Sequence, residues 1–288
     1  MKGARPGTGR EAAVAPVRGM PDDRGAGAKG RTVTDALASE WLKLRSVRST
    51  WYVLGVVAVT VPLAAFLARQ GVDAWDGLPP ARRAGFQGQA MEQALLPLVQ
   101  LCLAVLAVLA ITPEYATGMI RTSVTAVPRR SALLAAKAAV VAAISLTAGQ
   151  VAVGAVFLAC RAIVGDRPIP PGYTTGVSEE IPLVLASGLS VAVIALVALG
   201  LGAVMRSTAG AIVAVCVLLF VLPLAVNLLA DPWNDRIASV LPSNLAAQLV
   251  DHPSAVGGLP PPGALAVLSA YVIVALGAGA VVLARRDA

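Results

Sequence analysis

The sequence predicts an all-α membrane protein with six transmembrane helices and an amphipathic interfacial helix before the first of them. Three observations predict this: an unusually apolar composition, six apolar stretches of membrane-crossing length, and basic residues that alternate between loops. Of the 288 residues, 57% are hydrophobic and 14% are charged, whereas soluble domains carry about 25% charged residues. Long apolar runs, in place of short alternating ones, argue against a β-barrel. We infer that lipid covers much of the molecule.

The first 31 residues are rich in Gly, Pro, Ala and Arg and have no apolar periodicity. Such a composition buries too little apolar surface to fold, so residues 1–31 are predicted to be a disordered basic tail. They are not predicted to be a signal peptide, because no apolar stretch follows until Trp51 and five more come after it. Met20 lies inside this segment, so the sequence leaves open whether residues 1–20 are translated.

Residues 32–50 form the predicted amphipathic interfacial helix. Trp41 and Leu44 recur with helical spacing on an apolar face, while Lys43 and Arg45 lie on the other side. A basic amphipathic helix with a Trp on its apolar face is typical of a helix lying along a membrane surface. The alternative is a simple cytoplasmic extension of the first span.

The predicted transmembrane domain, residues 51–288, contains six apolar stretches, each near the ~20 residues that cross a bilayer. They are residues 51–68, 95–112, 133–159, 183–205, 209–230 and 264–284. Only Arg206, Ser207 and Thr208 separate the fourth from the fifth. A single helix through both would place Arg206 in hydrocarbon at a cost of several kcal/mol. A tight hairpin is therefore predicted there.

Loop charges predict the orientation. Basic residues are in excess in the N-terminal segment, in the loops after the second and fourth stretches, and at the C-terminus. The positive-inside rule places those segments in the cytoplasm, so we expect a multi-pass protein of the cell membrane with both termini inside. The net charge of +7 is then attributed to loops beside anionic lipid. No nucleic-acid partner is expected, because the basic residues flank apolar segments and include no stacking aromatics.

The sequence shows no catalytic, cofactor-binding or metal-binding motif. It has no GxxxxGK[ST] phosphate loop and no HExxH, its only histidine is His252, and its three cysteines form no CxxC pair. In mid-membrane only Gln100, Gln150 and Asn227 offer polarity, whereas ion-coupled carriers usually keep ionisable groups there. We therefore expect no intrinsic catalytic site and an energy source outside this chain.

The loop between the second and third stretches holds the candidate functional residues. Glu114 and Arg121 are two helical turns apart, Gly118 permits a bend or close approach, and Pro128 ends the segment. An ordinary basic cytoplasmic loop is the alternative interpretation. The full candidate set is Glu114, Tyr115, Gly118, Arg121, Thr122, Pro128, Arg129 and Arg130.

Residues 114–130 follow the pattern Glu-Tyr-x-x-Gly-x-Ile-Arg-x-Ser-x-x-x-x-Pro-Arg-Arg. This pattern closely resembles the integral-membrane subunits of ABC-2 type exporters in their actinobacterial form. Residues 39–46, Ser-Glu-Trp-Leu-Lys-Leu-Arg-Ser, and residues 241–244, Leu-Pro-Ser-Asn, are also similar to that family. The resemblance covers residues 33–288 and says nothing of the cargo.

The resemblance implies an ABC-2 permease-like fold and the permease subunit of an ATP-binding cassette exporter, moving a hydrophobic or amphipathic substrate outward. It implies a cytoplasmic ABC ATPase as partner, which would hold the ATP and Mg, and a second permease copy or a sister permease. The loop after the second span would couple to the ATPase, and residues 32–50 would be the connecting helix. The substrate, the residues lining its path, and the choice between homodimer and heterodimer are left open.

Two other functions compete with an exporter on the sequence alone. One is a gradient-driven carrier or channel, which would need more polar lining than these stretches offer. The other is a membrane anchor or sensor that recruits a cytoplasmic partner through the same basic loop.

Overall fold

The protein is seen in a computed structural model that describes residues 37–83, 85–86, 90–116, 130–167, 169, 176–252 and 258–286. Its described helices are α1 (37–46), α2 (Arg48–Asp76), α3 (Pro80–Arg83), α4 (Met91–Ala94), α5 (Leu96–Leu109), α6 (Thr112–Ala116), α7 (Arg130–Val164), α8 (Val177–Met205), α9 (Thr208–Cys216), α10 (Leu222–Val226), α11 (Trp233–Ala238), α12 (Pro242–Leu249) and α13 (Pro261–Arg286). A π-helical segment, Val217–Val221, joins α9 to α10.

Six helical segments among the described residues are long and apolar enough to cross a membrane, which confirms the predicted fold class. These segments are Arg48–Asp76, Met91–Tyr115, Leu133–Val164, Val177–Met205, Thr208–Val226 and Pro261–Arg285. Most run beyond the apolar stretches read from the sequence, because hydropathy marks the part suited to lipid and not the ends of the helix. In α2, for example, the i,i+4 pair Arg69–Asp73 (3.5 Å) supports an extension to Asp76. The fifth segment instead ends at Val226, ahead of residue 230.

Helix α8 lies at the centre of the bundle, packed against α5, α7 and α13. Small residues make this close packing possible. A Cβ atom added at Gly200 would lie 2.5 Å from the backbone of Ala275 in α13, and one at Gly202 would lie 2.9 Å from Ile111 Cγ2. The core is otherwise aliphatic, with Leu103 and Leu199 fully buried. Close approach of helices through small residues is the usual packing mode where lipid supplies no hydrophobic driving force.

Two short helices, α11 and α12, connect the fifth segment to the sixth. Asn244 Nδ2 donates to the carbonyl oxygen of Ala238 (2.8 Å), and the Tyr271 hydroxyl donates to that of Val240 (3.1 Å). Leu245 of α12 is buried in a cluster with Val193 of α8 and α13 side chains. The connection therefore packs on the bundle as two helices divided near Leu241.

The helix termini meet at two ends of the bundle. At one end, which we call the Glu114 end, lie α1, the start of α2, the end of α6 and the hairpin at Arg206. At the other end, the guanidinium of Arg167 makes a two-pronged ion pair with Asp76, at 2.9 and 3.1 Å. The Glu114 end carries the motif found in the sequence, so the candidate site is built there.

Candidate functional site

Four charged side chains from three elements form one cluster at the Glu114 end. Glu40 and Lys43 come from α1, Glu114 from α6 and Lys137 from α7. We call this set the charged tetrad. Helical spacing presents Glu40 and Lys43 on one face of α1, since they are three residues apart. The other two charges reach the same point because α6 leaves the bundle beside the start of α7.

Lys137 is the centre of the tetrad. Its Nζ lies 2.6 Å from Glu40 Oε2, 2.7 Å from Glu114 Oε1 and 3.2 Å from the carbonyl oxygen of Ala110. An ammonium has three N–H donors, so all three are satisfied. The side chain of Lys137 is only 3% exposed. A buried ammonium persists in this setting because two carboxylates surround it.

Lys43 closes the cluster from the outer side. Its Nζ lies 2.8 Å from Glu40 Oε1 and 3.4 Å from Glu114 Oε1, while its side chain is half exposed. Burial acts to raise the pKa of Glu40, but the ammonium groups of Lys137 and Lys43 outweigh it and the pKa is lowered. Burial acts to lower the pKa of Lys43, yet hydrogen bonds and attraction to Glu40 and Glu114 raise it. The surroundings of Glu40 and Lys43 thus favour the charged forms of these two side chains.

A second set of contacts fixes the start of the motif against the hairpin at Arg206. The Tyr115 hydroxyl donates to the carbonyl oxygen of Ala203 at 3.3 Å, and the guanidinium of Arg206 lies 5.1 Å from the centre of the Tyr115 ring. Thr112, three residues before Tyr115, accepts a hydrogen bond at its hydroxyl from the Thr208 hydroxyl at 2.7 Å. The end of the second segment is therefore bonded to the fourth and fifth.

The hairpin itself is tight because Arg206 adopts a left-handed backbone conformation, φ +51°. Its backbone N–H donates to the carbonyl oxygen of Gly202, and Ser207 then caps α9 by accepting from the backbone N–H of Gly210 at 3.2 Å. Left-handed geometry at a helix C-terminus usually takes glycine. Here it takes an arginine whose side chain stacks on Tyr115, which ties the hairpin to the motif.

The structure brings together only part of the predicted site. Glu114, Tyr115 and Lys43 meet at the Glu114 end, and Leu44 is buried in the main core cluster. Trp41 and Arg45 of the predicted interfacial helix are exposed. The remaining candidates lie outside the described part of the chain. They are Gly118, Arg121, Thr122, Pro128, Arg129 and the side chain of Arg130.

Sequence reasoning did not include two members of the tetrad, Glu40 and Lys137, among the candidate site residues. The sequence analysis considered polarity in mid-membrane only, whereas Lys137 lies buried near one end of the third candidate span. The available signal was a lysine within an apolar run, Leu-Leu-Ala-Ala-Lys-Ala-Ala-Val at 133–140. Two of the amides pair within the protein: Gln100 donates to Ser190 Oγ and Gln150 to the carbonyl oxygen of Leu185.

The described part of the chain offers no group of three or more His, Cys, Asp or Glu side chains that would hold a metal ion. The tetrad is neutral overall, and both of its ammoniums are engaged with carboxylates. It is therefore suited to joining α1, α6 and α7 mechanically.

Comparison with known proteins identifies the family. The family model described as "ABC-2 family transporter protein" matches residues 36–223, which is more than half of the chain and includes the whole tetrad and the Arg206 hairpin. No curated protein matches the chain. The chain therefore belongs to the ABC-2 transporter family, whose members are membrane transport components.

Proposed function

We propose that this chain is the membrane-spanning permease subunit of an ATP-binding cassette exporter, powered by a separate ATPase subunit. The observation that carries the proposal is the tetrad, because it connects the first residue of the motif loop to two other parts of the molecule. Glu114 begins the loop, Glu40 and Lys43 lie in α1, and Lys137 lies in the third span. A displacement of the loop would be transmitted directly through these buried ion pairs.

The contacts of Tyr115 extend the same connection to the rest of the bundle. Its hydroxyl bonds to Ala203 near the end of α8, and its ring lies under Arg206 of the hairpin that starts α9. Together with the tetrad, these contacts link the loop to α1 and to the third, fourth and fifth spans. An ATPase that pushed on the loop would therefore act on most of the bundle at once.

The partners and orientation follow from this role. The Glu114 end faces the cytoplasm, where the ATPase holds ATP and Mg, and both termini lie on that side. A second permease copy or a sister permease completes the transporter. The basic residues at this end, Lys43, Arg45 and Arg206 among them, support the orientation. The actinobacterial form suggested by the sequence stays a prediction.

The interior supports a hydrophobic or amphipathic substrate. Among the described residues, the buried side chains within the spans are mostly apolar, and some polar ones form pairs, as buried Gln100 does with Ser190 and partly buried Gln93 with Ser187. The one buried ammonium within a span, Lys137, is fixed by carboxylates at one end of the bundle. Among the described residues, the buried ionisable side chains within the spans lie near the span ends, Glu114 and Lys137 at one end of the bundle and Glu92 and Glu180 at the other. Ion-coupled carriers usually keep such groups in mid-membrane, so a gradient-driven carrier is disfavoured.

Copurification tests the proposal. The detergent-solubilised protein is expressed with its neighbouring genes, and the native chain is compared with an Arg121→Glu, Gly118→Trp double variant. We expect a soluble ATPase to copurify with the native chain and to be lost from the variant. A matched control, Arg69→Glu with Gly71→Trp, alters one exposed and one partly buried α2 position at the opposite end and is expected to retain the ATPase.

Other outcomes identify the competing functions. Transport by the pure chain driven by an ion gradient alone would establish a carrier or channel and refute the exporter. An ATPase that binds, but whose hydrolysis responds to no cargo, would indicate a membrane anchor or sensor.

A further inference from the structure

A cavity of about 240 Å³ lies beside the charged tetrad, between α1, the start of α2 and the end of α5. Its wall is mainly aliphatic, formed by Leu44, Val47, Leu106 and Leu109, with the tetrad along one edge. Apolar cavities of about 150 Å³ remain free of water and take up small hydrocarbons. This cavity is therefore suited to an apolar ligand that ends near a charged surface.

The surface next to the cavity is basic. Arg45 and Arg48 are exposed at the corner between α1 and α2, beside Lys43, which is paired with Glu40 and Glu114. We call Arg45 and Arg48 the basic corner. From residue 37 to residue 72 the only acidic residue is Glu40, which is 3% exposed and already paired with two lysines. The charge that this corner presents to its surroundings is thus uniformly positive.

Hydrogen bonds hold the basic corner in place. Trp51 Nε1 donates to the carbonyl oxygen of Arg45 at 3.1 Å, and Ser46 Oγ donates to that of Lys43 at 2.9 Å. Trp51 and Tyr52 are exposed at the start of the first membrane-crossing helix. Exposed Trp and Tyr at the end of a span mark the level of the lipid headgroups. The basic corner and the cavity beside it therefore lie where headgroups meet acyl chains.

We propose that this site binds one anionic membrane phospholipid, with its phosphate on the basic corner and part of one acyl chain in the cavity. Basic pockets at the membrane surface recognise anionic headgroups, and the cavity accounts for the chain. A bound chain also excludes water from the side of the tetrad that faces the cavity, which strengthens its ion pairs. The proposal does not depend on the ATPase partner, so its failure would leave the exporter proposal untouched.

A lipid titration tests the headgroup contacts. Phosphatidylglycerol and phosphatidylcholine with identical chains are added separately to the detergent-solubilised protein, and bound lipid is counted by native mass spectrometry. We expect the native chain to prefer phosphatidylglycerol and an Arg45→Gln, Arg48→Gln variant to bind it about 30-fold more weakly, as removing two basic residues near an anionic headgroup predicts. A charge-matched Arg285→Gln, Arg286→Gln variant is expected to retain the affinity of the native chain. An equal loss of phosphatidylglycerol affinity in both variants, or no loss in either, would refute the assignment of the headgroup to the basic corner.

A second variant tests the cavity. Val47 is exposed and lines the cavity, so Val47→Phe should occupy space that the chain needs. Val56→Phe places the same side chain on an exposed part of α2 and is the control. We expect Val47→Phe alone to lose the preference for phosphatidylglycerol, and water-soluble glycerol phosphate, which lacks chains, not to compete with the lipid. Retained lipid binding in Val47→Phe, or competition by glycerol phosphate, would refute the acyl-chain part.

Discussion

Lys137 Nζ and Glu40 Oε2 lie 2.6 Å apart although 97 residues separate them in the chain. Both side chains are almost fully buried, and Glu114 Oε1 lies 2.7 Å from the same nitrogen. A buried ion pair adds little net stability because desolvation offsets the attraction, but leaving one partner unpaired is costly. The relationship therefore determines how α1, α6 and α7 are arranged more than how stable the fold is.

Removing the central ammonium should destabilise the protein strongly. Lys137→Met leaves two buried carboxylates facing each other, and we expect a loss of about 3–5 kcal/mol in the free energy of unfolding. Heat or denaturant unfolding followed by circular dichroism in detergent measures this loss. The matched variant Lys137→Met, Glu40→Gln, Glu114→Gln removes the unpaired charges and should recover most of the stability. If the triple variant were no more stable than Lys137→Met alone, the unpaired carboxylates of the tetrad would not be the cause of the destabilisation.

The tetrad also predicts how stability depends on pH. The pKa of Glu40 is held below its ordinary value near 4.5 by Lys137 and Lys43 against the effect of burial. A carboxyl with a lowered folded-state pKa contributes stability above its unfolded pKa and loses it as pH falls through the folded one. Melting temperatures of the native chain and Glu40→Gln should therefore converge as pH falls from about 7 through this acidic range. A constant difference between the two proteins would contradict the assignment.

The sequence could predict the six spans because the length of an apolar stretch is a local property. It could also locate Glu114 and Tyr115, since both belong to a contiguous motif. The contacts of Lys137 with Glu40 and Glu114 join residues 97 and 23 positions apart. Such pairings depend on how helices pack, and no local pattern specifies them. A lysine in an apolar run indicates a buried partner but does not name it.

The backbone conformation of Arg206 is a second feature that the sequence could predict only in part. The sequence placed a tight hairpin at residues 206–208, and the structure has one, with Arg206 as the left-handed residue. Sequence rules would expect glycine in that position. The contact that explains an arginine here is with Tyr115, whose ring packs under the Arg206 guanidinium. The Tyr115 hydroxyl also donates to the carbonyl oxygen of Ala203, which lies 88 residues later in the chain, so no local sequence pattern specifies this arrangement.

Two substitutions separate the backbone and side-chain roles of Arg206. Arg206→Ala keeps the left-handed geometry without the stacking, whereas Arg206→Gly also removes the conformational cost of about 1–2 kcal/mol. The stacking itself contributes about 0.5–2 kcal/mol, since Arg206 is partly buried. We expect Arg206→Gly to be near the native stability and Arg206→Ala to be the less stable of the two. Equal stabilities in an unfolding titration would show that the backbone there is not left-handed.

The contact between α8 and α13 provides the last test. A Cβ at Gly200 would lie 2.5 Å from the carbonyl carbon and oxygen of Ala275, which are backbone atoms that cannot rotate away. Gly200→Ala must therefore push the helices apart, and overpacking of this kind costs about 1–3 kcal/mol. Gly277, on α13 itself, has no atom within 4 Å of an added Cβ. Gly277→Ala should raise stability by up to about 1 kcal/mol through helix propensity.

Thermal unfolding of the two alanine variants measures both effects under identical conditions. Because each change adds one methyl group to one helix, the opposite signs would come from the surroundings of the two glycines and not from the substitution itself. A destabilised Gly200→Ala beside a stabilised Gly277→Ala would establish the close approach of α8 to α13. Stabilisation of both variants would mean that α8 and α13 are not in contact at Gly200, which would contradict the packing of α13 against α8.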